Sequence, residues 1–218
     1  MRGLYIKDLR LIMKQKALLL VFILLTVFNS YQLNNNAVVP SLMIFFLTTL
    51  AFTTVTYDEM DHGLTFLFTL PISRKKYVAG KYLLSIATIL LAIVLSIGIV
   101  LVMNAIKSQV VNFELFSFTF GFVFLLGLLY MSIMLPIYFK FGAEKSRLIL
   151  LLIIGVIFFL TFAGGYLIQK TNFDIAGQVN TIMAQPLWLL TAISILVTAA
   201  AVVISYLMSV KIVKKKEL

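Results

Sequence analysis

Long stretches without a charged residue divide this chain into apolar segments that short polar and basic segments separate. Residues 17–57 carry no charged side chain, and further uncharged stretches cover residues 82–106, 115–139, 148–169 and 175–210. An α-helix rises about 1.5 Å per residue, so about 20 apolar residues cross a hydrocarbon core roughly 30 Å thick. The first stretch is therefore long enough for two crossings, and each of the others is long enough for one.

These stretches predict an all-α integral membrane protein with six transmembrane helices, folded as a single domain over residues 1–218. The turn Asn34-Asn35-Asn36, with Pro40 just beyond it, divides the first stretch into two spans. The last span is expected to begin near Pro186, because proline is tolerated in the first turn of a helix. The predicted spans cover about residues 17–33, 38–57, 82–104, 115–139, 148–168 and 187–210.

Phenylalanines near the start of the fourth span alternate with a period of two, which is typical of a β-strand. A lone strand in hydrocarbon would leave its backbone amides unpaired, whereas a helix pairs them internally, so we predict a helix. One helix face would then carry Phe116, Phe120 and Phe124, and another would carry Phe118 and Phe122. We expect these rings to face lipid or to pack against other helices; an aromatic surface for an apolar substrate is the alternative.

The composition agrees with a membrane protein and excludes several other classes. Hydrophobic residues make up 62% of the chain and charged residues 12%, against roughly 25% charged residues in soluble domains. A net charge of +10 would suggest a nucleic-acid partner, but the basic residues stand at the ends of apolar stretches, so none is expected. Without cysteines, and with His62 as the single histidine, the chain offers no obvious metal site.

The distribution of basic residues predicts the orientation in the membrane. If the chain crosses six times, sixteen of its eighteen lysines and arginines fall on one side, and only Lys107 and Lys170 fall on the other. Loops rich in lysine and arginine are retained in the cytoplasm. We therefore expect a multi-pass protein of the cell membrane with both ends in the cytoplasm.

Residues 3–16 predict an amphipathic helix that precedes the first span. Such a helix is expected to lie along the membrane surface, with its cations facing anionic lipid headgroups. The alternative is that the basic residues serve only as an orientation signal. The apolar face carries Tyr5, Ile6, Leu9, Ile12 and Met13, and the basic face carries Lys7, Arg10 and Lys14.

The cytoplasmic connection at residues 58–76 is predicted to form a short surface helix between the second and third spans. Its acidic residues, Asp58, Glu59 and Asp61, suit the first turn of a helix, where the helix dipole favours negative charge. The positions of Leu64, Leu67 and Phe68 then form an apolar face with helical spacing.

Pro71 is expected to end this short helix, and Ser73 can cap the next one, which runs through Lys81 into the third span. A force on the short helix would therefore move both neighbouring spans. A linker that merely rests on the bilayer is the alternative interpretation.

The predicted spans contain hydroxyl groups but no acidic residue at membrane depth. Thr49, Thr53 and Thr56 share one face of the second span. They are candidates for a translocation path, although such hydroxyls more often bond to their own helix. Carriers driven by ion gradients usually need an ionisable group within the membrane, so that class is disfavoured. Gly80-Lys81 lacks the rest of a phosphate-binding loop, so no catalytic residue or cofactor is expected here, and ATP work would occur on another chain.

This arrangement resembles the permease subunits of ABC transporters of the type two exporter class. The likeness includes the N-terminal helix, the six spans and the connection with Glu59, Gly63, the apolar residues 64–70 and Leu70-Pro71-Ile72-Ser73-Arg74. Small Gram-positive permeases, such as exporters of phenol-soluble modulins, are similar in shape.

The resemblance implies that residues 58–70 form a coupling helix that docks on an ATP-binding cassette subunit, which would hold ATP and Mg²⁺. The candidate coupling residues are Asp58, Glu59, Asp61, Gly63, Leu64, Leu67, Phe68, Pro71 and Arg74. It also implies a partner permease, as a second copy or a related chain, and export of an apolar or amphipathic substrate. A membrane immunity or assembly factor that does not transport, and a gradient-driven carrier, are the competing hypotheses.

Overall fold

A computed structural model describes residues 2–32, 38–60, 63–69, 73–108, 113–171 and 187–216. Within these ranges the chain forms seven α-helices and no β-strand, so the all-α prediction is confirmed. The helices are α1 Arg2–Lys14, α2 Lys16–Gln32, α3 Val38–Glu59, α4 Gly63–Thr69, α5 Arg74–Ile106, α6 Phe113–Thr171 and α7 Leu187–Lys215.

Among the described residues, four helical segments are long and apolar enough to cross a membrane, so the protein is membrane-embedded and multi-pass. They are α3, α5, the first half of α6 (Phe113–Gly142) and Trp188–Lys215 of α7. The pair α1 and α2, bent by 64°, meets the criterion only as one broken unit, and Leu148–Gly164 is a shorter apolar helix. The predicted turn at residues 34–36 and Pro186 lie outside the described ranges.

Helix α6 is broken at Gly142, whose φ of 73° and ψ of −179° are not helical. This φ lies in the left-handed region that glycine adopts readily and other residues avoid. The two stretches predicted as separate spans at residues 115–139 and 148–168 are thus helices joined by this single backbone break. A basic loop was expected between them, and the structure instead continues the helix on both sides of Gly142.

The alternating phenylalanines lie in a continuous helix, as predicted. The rings of Phe116 and Phe120 are 4.5 Å apart, and Phe120 is buried against Val39 and Val100. Phe118 and Phe122 are exposed on another face, with ring centroids 6.3 Å apart. The period of two therefore divides these rings between one packed face and one exposed face.

The bundle core forms where α3 packs between α5 and α6. Gly127 of α6 allows the closest approach, because a Cβ atom there would lie 2.7 Å from Cγ2 of Ile44. Tyr82 joins α5 to α7, since its hydroxyl bonds to Ser205 Oγ at 2.6 Å and Ser209 Oγ at 2.9 Å. Ser205 in turn donates to the carbonyl oxygen of Ser132 in α6 at 2.5 Å. Buried hydroxyl pairs thus hold α5, α6 and α7 together.

Helix α1 turns a small buried face towards the bundle and leaves an apolar strip exposed. Leu4 and Asp8 are buried, whereas Ile6, Leu9 and Met13 are each at least half exposed. The exposed strip agrees with the predicted apolar face. Lys7, which was expected to face lipid headgroups, instead pairs with Asp58 at the end of α3.

Candidate functional site

One end of the bundle brings together α1, the end of α3, α4 and the start of α5. Four charged side chains meet there, and we call them the ionic cluster: Lys7, Asp8, Asp58 and Lys81. Their contacts join three helices that are far apart in the sequence.

Lys81 is the centre of the ionic cluster and is only 1% exposed. Its Nζ atom lies 2.9 Å from Asp8 Oδ2 and 2.7 Å from Asp58 Oδ2. The same ammonium donates to Thr54 Oγ1 at 3.0 Å. A lysine ammonium has three donor protons, and three oxygen atoms, from Asp8, Asp58 and Thr54, surround this one.

Both carboxylate oxygens of Asp58 also accept hydrogen bonds. Lys7 donates from Nζ to its Oδ1 atom, and the hydroxyl of Tyr77 donates to Oδ2 at 3.1 Å. Lys7 Nζ also lies 3.6 Å from Asp8 Oδ1. Two ammonium groups thus balance two carboxylates. This balance matters because burying an unpaired charge is costly, whereas a paired and hydrogen-bonded charge is tolerated.

Asp8 is a buried acid of the ionic cluster, and its burial affects its protonation. Its carboxyl is 1% exposed, and this desolvation raises its pKa, while the neighbouring Lys81 opposes the rise. The Oδ1 atom accepts no hydrogen bond in the structure. The ionised form of Asp8 therefore depends on Lys81.

The acidic residues of the predicted coupling segment lie in a different helix from the one expected. Asp58 and Glu59 form the last turn of α3 rather than the first turn of α4. The prediction of a helix start at Asp58 is wrong because no helix-breaking residue separates the apolar span from it, and its carboxylate has partners in the bundle interior. Asp61 lies outside the described residues.

Helix α4 begins at Gly63, where the chain returns close to the end of α3. A Cβ atom at Gly63 would lie 2.8 Å from the carbonyl oxygen of Asp58. Glycine has no Cβ atom, so it fits here without a shift of the backbone. Leu64 and Leu67 are buried in the bundle core, so the predicted apolar face is confirmed at these positions. The side chain of Phe68 and all of Pro71 lie outside the described part.

The start of α5 matches the prediction. Ser73 caps the helix and accepts a hydrogen bond from the backbone N–H of Lys76 at 3.3 Å. Arg74 follows, and its guanidinium donates to the carbonyl oxygens of Lys214 at 2.6 Å and Val213 at 3.3 Å. These are terminal carbonyls of α7, which have no partner within their own helix.

Glu59 connects the end of α3 to two other helices. Lys216 donates from Nζ to Glu59 Oε1 at 2.5 Å. A Cβ atom at Gly142 would lie 2.9 Å from Glu59 Oε2, so this carboxylate occupies the space beside the break in α6. Glu59 and Arg74 were candidates for contact with a partner subunit, and the structure places both against other helices of the same chain.

The three threonines of the candidate path lie on α3. Thr49 and Thr53 donate to the carbonyl oxygens of Phe45 and Leu50, both at 2.7 Å, as hydroxyls within helices commonly do. Thr49 also lies 3.3 Å from the hydroxyl of Tyr130, which lines an open apolar groove between α3 and α6. Thr56 is half-buried. A path along these hydroxyls stays a prediction.

The ionic cluster was not predicted from the sequence. Asp58 and Lys81 were visible as the charges that border two apolar stretches, but their pairing was not foreseen. Asp8 gave a usable signal, since it is the single acidic residue in an otherwise basic helix. It also stands four residues after Leu4 and therefore on the same helix face. Within the described ranges, no group of three metal-ligating side chains occurs.

Comparison with known proteins identifies the family. No curated protein sequence matches the chain. The model of the ABC-2 family transporter proteins matches residues 3–214, and this range includes the ionic cluster, α4 and α7 as far as Lys214. Proteins of this family are transmembrane subunits and are generally not catalytic. Since the match covers nearly the whole length, this chain belongs to the ABC-2 family of transporter proteins.

Proposed function

We propose that this chain is the permease subunit of an ATP-driven exporter for an apolar or amphipathic substrate, such as an amphipathic peptide. In this proposal the chain crosses the membrane six times with both ends in the cytoplasm. It pairs with a second copy or a related chain. ATP and Mg²⁺ bind to a separate ATP-binding cassette subunit, which docks on α4.

The position of α4 carries this proposal. The helix lies between α3 and α5 in the chain, packs against α3, and buries its Leu64 and Leu67 side chains in the core. A force on α4 would thus act directly on two spanning helices. Thr69, at the end of α4, is exposed and would lie on the side available to the partner.

The ionic cluster supports the same function by fixing the helices that α4 would move. Lys81 of α5 bonds to Asp58 of α3 and Asp8 of α1. These three helices would therefore move as one unit. A movement of α4 would then be transmitted to the spans α3 and α5 and not absorbed by a flexible connection.

An open groove between two spans supports an apolar or amphipathic substrate. The groove between α3 and α6 has a volume of about 210 Å³ and is lined mainly by apolar side chains, with the hydroxyls of Ser41 and Tyr130 as its polar groups. Thr49 contacts Tyr130 behind this groove. An apolar chain with a few hydrogen-bonding groups would suit such a surface.

Docking on α4 can be tested with Gly63→Ala, which inserts a methyl group within 2.8 Å of the Asp58 carbonyl oxygen and must shift α4. Gly98→Ala is the matched control, because a Cβ atom there has no neighbour within 4 Å. The tagged permease is co-expressed with a candidate ATP-binding cassette subunit from the same organism, and the copurified ATPase is quantified.

We expect Gly63→Ala to reduce the copurified ATPase at least threefold and Gly98→Ala to leave it unchanged. Equal recovery with both variants would contradict docking on α4. Export of an amphipathic helical peptide that survives ATP depletion but stops with an uncoupler would favour a gradient-driven carrier. Protection of cells from the peptide without ATP hydrolysis would favour an immunity factor.

A further inference from the structure

Both ends of the segment that carries α4 are attached to the same end of α7. Glu59, the last residue of α3, accepts from Lys216 Nζ at 2.5 Å. Arg74, the first residue of α5, donates to the carbonyl oxygens of Lys214 and Val213. The end of α7 therefore bridges the residues on either side of α4.

This end of α7 is firmly placed in the bundle. Val213 is 3% exposed and belongs to the main hydrophobic core, and Val210 and Ile212 pack against that core. Lys216 thus extends from an anchored helix, so a pull on its side chain would act on α7 itself.

Glu59 reaches α6 as well as α7. Its Oε1 atom bonds to Lys216, and its Oε2 atom lies where a side chain at Gly142 would be. Gly142 is also the point at which the two halves of α6 meet. A displacement of Glu59 would therefore press on the joint between these halves and pull on α7 at the same time.

We propose that Glu59, Arg74 and Lys216 are positioning residues that carry the movement of α4 to α6 and α7. We call these three residues the α7 clasp. The inference rests on the proposed function, since the movement of α4 would come from the ATPase subunit. It assigns Glu59 and Arg74 to contacts within this chain rather than to contacts with the partner.

The α7 clasp is suited to transmission rather than to folding. The side chains of Lys216 and Glu59 are 32% and 18% exposed, and partly exposed ion pairs contribute little to stability. A substitution at Lys216 should therefore leave the fold intact and alter only the coupling between helices. This property separates the α7 clasp from Asp8, Asp58 and Lys81 of the ionic cluster, which are buried.

The experiment measures movement between α5 and the second half of α6 in the complex with the ATP-binding cassette subunit. The chain has no cysteine, so Gly98→Cys and Gly155→Cys provide two unique labelling sites where a Cβ atom has open space. Spin labels at these sites report the distance in lipid nanodiscs, without nucleotide and with ATP and vanadate.

We expect the unaltered α7 clasp to show an ATP-dependent change in distance, and Lys216→Glu to reduce this change at least twofold. The exchanged pair Glu59→Lys with Lys216→Glu should restore it. Lys215→Glu, at the exposed neighbouring residue, is the matched control and should change nothing. Thermal unfolding of each variant checks that the fold is retained.

A full distance change in Lys216→Glu, an equal loss in Lys215→Glu, or no recovery in the exchanged pair would overturn the inference. Failure of the proposed function gives a different result, because the ATPase subunit would then not copurify even with the unaltered chain.

Discussion

At the scale of single residues, the ionic cluster shows how a membrane protein keeps charges in its interior. Lys81 has three oxygen partners, and Asp58 has partners on both of its oxygens. Within a medium of low dielectric constant, such a set is tolerable only when its charges balance. Each member therefore depends on the others more than an exposed ion pair would.

Lys81→Met should destabilise the protein by about 3–5 kcal/mol, because Asp8 and Asp58 would remain buried without their shared cation. The measurement is thermal unfolding of the purified protein in detergent. Lys75→Met removes an exposed lysine near the same end of α5, and we expect it to behave like the unaltered protein.

The triple variant Asp8→Asn, Asp58→Asn and Lys81→Met should recover part of the stability that Lys81→Met loses. It removes both buried carboxylate charges together with the lysine that pairs with them. If Lys81→Met proved as stable as Lys75→Met, the ionic cluster would not be the buried network described above.

At the scale of helices, the break in α6 depends on one residue. Gly142 has a backbone conformation that costs other residues about 1–3 kcal/mol, and a Cβ atom there would also meet the Glu59 carboxylate. Helix α6 would otherwise continue, because the residues on both sides are helical.

Gly142→Ala should therefore destabilise the protein by about 1–3 kcal/mol, measured by unfolding in detergent. Gly155→Ala lies in the second half of α6, where a Cβ atom has open space, and should be neutral or stabilising by up to about 1 kcal/mol. Equal stability of the two variants would mean that the break tolerates a side chain.

Most of the helices could be predicted from the sequence, because apolar length and uncharged stretches are local properties of the chain. The cap at Ser73 and the apolar positions Leu64 and Leu67 were predictable for the same reason. The start of α4 was not, because it depends on how closely Gly63 approaches Asp58 in space. Lys81 stands 73 positions from Asp8, Lys216 stands 157 positions from Glu59, and Val213 stands 139 positions from Arg74. No local pattern reveals a contact over such a separation.

At the scale of the whole molecule, the described structure places α1, the ends of α3 and α7 and the start of α5 at one end of the bundle. The other end has Lys107, which donates to the carbonyl oxygen of Ser30 at 2.9 Å. The distribution of positive charge predicts that the first of these ends faces the cytoplasm.

Single cysteines in this cysteine-free chain should report that orientation. Ser108→Cys, at an exposed position beside Lys107, should react in intact cells with a maleimide that cannot cross the membrane. Gly3→Cys and Lys215→Cys should react only after permeabilisation. Labelling of all three positions in intact cells would contradict an arrangement with both ends inside.

The two sets of ionic contacts differ in how much water they meet, and this has a consequence for ionic strength. The Debye length falls from about 10 Å at 0.1 M salt to about 3 Å at 1 M, which weakens exposed pairs but hardly affects buried ones. Added salt should thus loosen the partly exposed contact of Glu59 with Lys216 and spare Lys81 with its carboxylates. A reversible rise in salt would then weaken the link between Glu59 and the end of α7 while the buried contacts of the bundle stay intact, without any change in the sequence.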